Sequence, residues 1–257
     1  MTLKSPSASH SRKLFRLAAP LAILASSAWL AFGDKPDKAP EKKFFDPVEK
    51  KIEGWTVHVD PSLLEGGEHA EEGKQALKML ANHLQRIEIL LPEKPLAQMK
   101  EMEIWLEHHH PELSAMQYHP GVDWLKNNGH DPRLAKKVHI TRAAALSDRG
   151  QMLKHPAVIL HELAHAYHDQ VLGFGEPSII AAYDAAMKQG ILDKVKLFTG
   201  REGQHYGATN HKEYFAEATE AYLYRNDFYP FVAAELREYD PRGFDVMKKI
   251  WGPAAVR

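Results

Sequence analysis

The run Pro156-Ala157-Val158-Ile159-Leu160-His161-Glu162-Leu163-Ala164-His165-Ala166-Tyr167 decides how the rest of the chain is read. Proline suits the first turn of a helix and no breaker follows it, so the spacing predicts a helix from Pro156 to about Gln170, closed by Gly173 and Gly175. On a helix, side chains four residues apart rise from one face about one turn apart, so His161 and His165 can grip a single ion. A hydrolytic zinc site has three protein ligands and one open position, so the two imidazoles call for a third ligand from elsewhere. Glu162, next to the first histidine, projects beside such an ion rather than onto it. That placement suits a general base. Ionisable groups amid Val158, Ile159, Leu160 and Leu163 would cost several kcal/mol if buried without partners, which favours a metal over a purely structural helix.

The third ligand is sought on a later helix, predicted from His211 to Tyr224. Glu213 and Glu217 stand four apart on one face, while Phe215, Ala216, Ala218 and Tyr222 bury part of the same helix. Two inward carboxylates need a cation between them, so one of the pair ligates zinc and the other accepts the spare ring N–H of a ligand histidine. Glu220 reads as solvated. Asp169, four residues beyond His165, is placed to orient that imidazole, and His168 reads as a surface residue.

These residues carry a resemblance. Tyr206-Gly207-Ala208-Thr209-Asn210, then Glu213-Tyr214-Phe215-Ala216-Glu217, downstream of His161-Glu162-Leu163-Ala164-His165, resembles the catalytic domain of anthrax lethal factor and its relatives, a branch of the glutamate-ligand zincins. The resemblance covers roughly residues 138–224. It implies that Glu213 is the third zinc ligand and that Tyr206 assists the reaction. A phenol at the open side of a metal can hydrogen-bond an oxyanion or protonate a leaving amine. The chain has no room for the toxin's receptor-binding and docking domains, so toxin activity is not implied.

Composition narrows the alternatives. Lysine and arginine number 33 against 34 acidic residues, and this balance gives no reason to expect a nucleic-acid partner. Cysteine is absent, which excludes disulfides, thiolate ligands and cysteine nucleophiles and leaves a metal to His, Asp and Glu. His108, His109 and His110, with His119 and His130, form a His-rich stretch that could hold a second metal but reads as solvent-exposed and incidental.

At the N-terminus, Lys4, Arg12, Lys13 and Arg16 precede the charge-free run Leu17 to Gly33, the pattern of an export signal over residues 1–33, or of an uncleaved membrane anchor. Either places the globular part outside the cytoplasm. Residues 34–51 are dense in Lys, Pro, Asp and Glu and read as a flexible linker, so the fold is expected over residues 52–257. Trp55, Val57 and Val59 alternate as a strand. A helix from Glu68 to Leu90 is marked by Leu77, Leu80, Leu84, Ile87 and Leu91, and two more strands by Met102, Ile104 and Leu106 and by Val138 and Ile140. His108 to Pro132 reads as a long irregular excursion. Helices follow from Pro177 to Lys188, near Tyr229 to Tyr239 and from Pro241 to Ile250. Strands first and helices later make an α+β, zincin-like domain, with a small sheet, including Lys137 to Thr141, packed on the metal-bearing helix.

The expected protein is thus an exported zinc metalloendopeptidase acting on peptide substrates, with the Val138–Ile140 strand holding substrate by edge pairing. The competing expectation is an extracytoplasmic zinc-binding or zinc-buffering protein whose site is not catalytic.

Overall fold

The computed structural model describes residues 44–253, so the expected signal and most of the expected linker lie outside the described residues. The linker was expected to reach residue 51, yet β1 (Val48–Ile52) is already part of a sheet. It pairs antiparallel with β2 (Trp55–Val59) through the tight turn at Glu53-Gly54. Backbone pairing overrides side-chain composition here: β1 is exposed and lysine-rich, as suits the outer strand of a sheet. The alternation of β2 holds, with Trp55, Val57 and Val59 fully buried.

The chain then runs through α1 (Ala70–Leu90) and α2 (Glu93–Met99) before re-entering the sheet as β3 (Glu103–Leu106). Ala76, Leu80, Leu84 and Ile87 of α1 are buried at helical spacing. The expected irregular excursion contains order of its own. Within it lie β4 (Gln117–Tyr118) and α3 (Val122–Asn127), followed by β5 (Lys137–Ile140). Two residues are too few to show an alternation, so β4 owes its existence to its antiparallel partner β5. Strand order is β1-β2-β3-β5-β4, parallel across β2, β3 and β5 and antiparallel at both margins. Consequently β5 is interior. The expected edge pairing at Val138 and Ile140 is corrected, because β4 occupies that edge.

The second half is helical: α4 (Arg149–Lys154), α5 (Val158–Tyr167), α6 (Pro177–Gln189), α7 (His211–Leu223), α8 (Ala233–Tyr239) and α9 (Pro241–Trp251). Every residue of α5 is buried, against α7 on one side and β4 and β5 on the other. Beyond Tyr167 the helix widens into a π-type turn at His168–Leu172, a local form common at functional sites, and Gly173 ends it with φ 79°. The architecture is a mixed α+β layer: a five-stranded sheet and a group of helices sharing a core, with a two-stranded ribbon of Val195–Lys196 and Glu202–Gly203 between α6 and α7.

Candidate metal centre

His161 and His165 leave the buried helix α5 toward the same space, with their Nε2 atoms 3.1 Å apart. Glu213 enters from the first turn of α7. That turn is pinned by Asn210, whose side-chain oxygen accepts from the backbone N–H of Lys212 at 2.9 Å and of Glu213 at 3.1 Å. Glu213 Oε2 therefore stands 3.3 Å from His161 Nε2 and 3.2 Å from His165 Nε2. Ligands about 2.0–2.1 Å from a tetrahedral zinc ion lie about 3.3–3.4 Å from one another. The triangle of donors has nearly those sides, so two imidazoles and a carboxylate fit such an ion.

A second set of contacts fixes how the triangle faces. Glu220 Oε1 accepts from His161 Nδ1 at 2.6 Å and from His155 Nε2 at 2.9 Å. Donating Nδ1–H leaves the His161 Nε2 lone pair for a metal. Glu217 Oε1 is farther, 3.8 Å from His161 Nδ1. The expected roles are thus corrected: the fully buried Glu220 orients His161, while Glu217, also buried, lines the cleft. Positions 213, 217 and 220 follow i, i+4 and i+7, one helical face, and that spacing was the signal for Glu220.

Asp169 does not orient His165. Its Oδ2 accepts from Tyr118 Oη and from Lys136 Nζ, each at 2.6 Å. The backbone N–H of Tyr118 in turn donates to Glu162 Oε2 at 2.9 Å. Asp169 therefore steadies the short strand that positions Glu162. The widened turn rotates this part of the chain away from the α-helical spacing, which is why counting four residues from His165 misplaced it. His168, expected at the surface, is fully buried among Phe174, Phe215 and His211, and burial presses its pKa down to about 3.

The electrostatics suit a cation. Burial raises the Glu213 pKa, but His161 and His165 outweigh it and hold this carboxylate well below its ordinary range. Burial disfavours a charged His161, yet Glu213 and Glu220 lift its pKa well above the usual value. Glu220 is kept at about 2: burial opposes ionisation, and His155 with His161 overcomes it. Burial, reinforced by Glu220, pushes the Glu217 pKa well above the usual carboxylate range. Glu162 is raised by burial, with His161 and His165 pulling against it. A carboxyl with a raised pKa is better matched to taking up a proton near neutral pH.

These groups open into a cleft of about 760 Å³. Tyr206, 48% exposed, stands on its wall. It heads a short turn, Tyr206–Ala208, tied by Gly207 N–H to His205 Nδ1 at 2.9 Å. A Cβ on Gly207 would sit 3.1 Å from the Tyr214 Cα, so glycine lets this turn lie close against α7. The segment Ser114 to Tyr118 forms a facing wall.

The His-rich stretch is also unlike its expectation. His110, His119 and His130 are 3–8% exposed and gather with His139 of β5, which is fully buried. His119 Nε2 lies 3.1 Å from His139 Nδ1, His139 Nε2 lies 3.2 Å from Glu107 Oε1, and Trp124 stacks on His119 and His130. Of the five, His109 is exposed as expected; His108 is half-buried, stacked on His69 and paired with Glu72.

No protein-family model matches the chain, and no curated protein matches it. Among solved structures, that of the Pro-Pro endopeptidase PPEP-2 from Paenibacillus alvei is similar at 20% identity and a TM-score of 0.40, over 76% of this chain and 96% of that one.

Proposed function

We propose that this chain is an exported zinc-dependent metalloendopeptidase of the lethal-factor-like, glutamate-ligand kind. The observation that carries the reading is the triangle of His161, His165 and Glu213 donors, with Glu162 beside it, on the wall of an open cleft. His161, His165 and Glu213 would hold a zinc ion, which would supply Lewis acidity for a carbonyl and lower the pKa of water to near 7.

The chain's own residues do the rest. Tyr118 N–H engages Oε2 of Glu162. That leaves Oε1 to take a proton from the attacking water and later deliver it to the departing amine. Tyr206, whose pKa is raised by burial and then by Glu213, stays protonated and donates to the developing oxyanion. Glu220 keeps His161 in the tautomer that presents Nε2. The basic and apolar run over residues 4–33 supports export, and hence an extracytoplasmic place of action.

The test is digestion of a peptide library by the chain loaded with one equivalent of zinc, with and without a chelator, alongside Glu162→Gln. The expected outcome is chelator-sensitive cleavage by the parent and unchanged zinc content in the variant, with hydrolysis lowered about 10²- to 10⁴-fold. A zinc-loaded parent that cuts nothing would leave the zinc-buffering alternative. Equal cleavage by the variant would remove Glu162 from the chemistry.

A further inference from the structure

The charges around the cleft divide into two populations. Its carboxylates, Glu162, Glu213, Glu217 and Asp227, surround the metal centre. Glu213 and Glu162 together balance a divalent ion, and burial holds Glu217 and Asp227 toward their neutral forms. The cations are Arg142, Lys154 and Lys212, and among the described residues none of them forms an ion pair. Lys154 faces the buried Asp227 without bridging it. Lys212 Nζ rests 4.1 Å from the ring centroid of Phe174.

Their placement is not random along the site. Lys154 closes α4 and adjoins His155, at the N-terminal end of α5, and Arg142 follows β5 on the same side. Phe174, with Lys212 over its ring, lies past the widened turn at the other end of that helix. A ten-residue helix is about 15 Å long, so positive charge stands at both ends of a span fitting a few extended residues. The walls of the same cleft include the apolar side chains of Met116, Phe228 and Val158, the last at the opening of α5. For a chain whose net charge is −1, three unpaired cations on one cleft are a local feature that bulk composition hides.

We infer that the cleft selects peptide segments with apolar residues at the scissile bond and acidic side chains on both flanks. The inference rests on the peptidase reading for the word scissile, but the selection itself is a matter of binding. Arg142 and Lys154 are exposed and Lys212 is half-buried over Phe174; cations without an ion-pair partner gain from opposite charge without first breaking a pair, and complementary charge decides which partner docks.

Binding of fluorescent peptides to the Glu162→Gln chain, followed by anisotropy, tests this without turnover. The peptides share one apolar centre and differ only in flanks of glutamate, glutamine or lysine; a single-stranded oligonucleotide serves as a non-peptide polyanion. The acidic peptide should bind about three- to tenfold tighter than the neutral one, with the difference shrinking in high salt. Arg142→Glu with Lys154→Glu should remove the preference at one flank, and Lys212→Glu at the other. Equal binding of all three peptides, a preference that survives both variants, or an oligonucleotide that binds as tightly as the acidic peptide would overturn it. This order of binding without any cleavage by the parent would count against the peptidase reading alone. Cleavage with no charge preference in binding would count against this inference alone.

Discussion

Two groups of buried histidines in this chain each contain a pair of ring nitrogens 3.1 Å apart: His161 with His165, and His119 with His139. Distance alone does not separate them. What differs is the carboxylates. In the first group Glu213 reaches both Nε2 atoms from one side, while Glu220 takes the opposite nitrogen of His161. In the second, Glu107 approaches His139 on the nitrogen that does not face His119, so the contacts run in a line as Glu107, His139, His119. The first arrangement converges on a point; the second is a chain through a wall of the fold. The pKa directions follow the same division. Carboxylates raise that of His161, whereas burial and neighbouring imidazoles press that of His119 down to about 3. Convergence of a carboxylate on two imidazoles sets the first pair apart from His119 and His139; Glu220 draws His155 and His161 together in the same way, so two candidate groups share His161, and of their carboxylates only Glu213 lines the cleft.

The largest expected effect breaks the symmetry between the two pairs. Glu213→Ala should take zinc content from one per chain to near zero, measured by elemental analysis after dialysis, while His139→Gln should leave it at one. Two equivalents in the parent, falling to one in His139→Gln, would mean that both pairs hold metal. A smaller effect concerns orientation. Glu220→Gln should weaken zinc binding about 10- to 100-fold in competition with a chelator, because His161 loses the partner that fixes its tautomer. Asp169→Asn, which acts through Tyr118, should leave that affinity unchanged.

The smallest effect sharpens the contrast through pH. With a folded pKa of about 3 against 6.5 when unfolded, His119 takes up a proton more readily in the unfolded chain. Its contribution to stability is therefore lost as pH falls from about 6.5 toward 3. Between pH 7 and 5 this amounts to at most about 2 kcal/mol. His119→Gln should flatten the acid side of the stability profile, measured by urea unfolding, by that much or less. An unaltered profile would show that His119 does not titrate with unfolding.

Why the candidate metal centre was legible and the histidine cluster was not comes down to range. His161, Glu162 and His165 lie within one helix, so their shared face follows from helical spacing alone. The contribution of Glu213 needed a resemblance, because 48 residues separate it from His165. Glu220 lay one turn further along a face already identified, but the surface appearance of a glutamate near a helix end concealed it. β4, Asp169 and the buried His110, His119 and His130 depend on cross-strand pairing and on a widened helical turn. Both are tertiary events that no local periodicity records. The sheet was legible where strands alternate, as at Trp55, Val57 and Val59, and illegible where pairing alone makes the strand, as at β1 and β4.

The cap at Asn210 has a consequence for how an ion would come and go. The carboxylate that completes the triangle hangs from the opening turn of its helix, where the first amide groups lack helical partners and only one side chain satisfies two of them. Helix ends fray at far lower cost than whole domains unfold. The two imidazoles, by contrast, stand on a helix sunk throughout in the core. Were an ion bound there, its exchange would call for opening only those first residues, and the fold around them would not have to come apart.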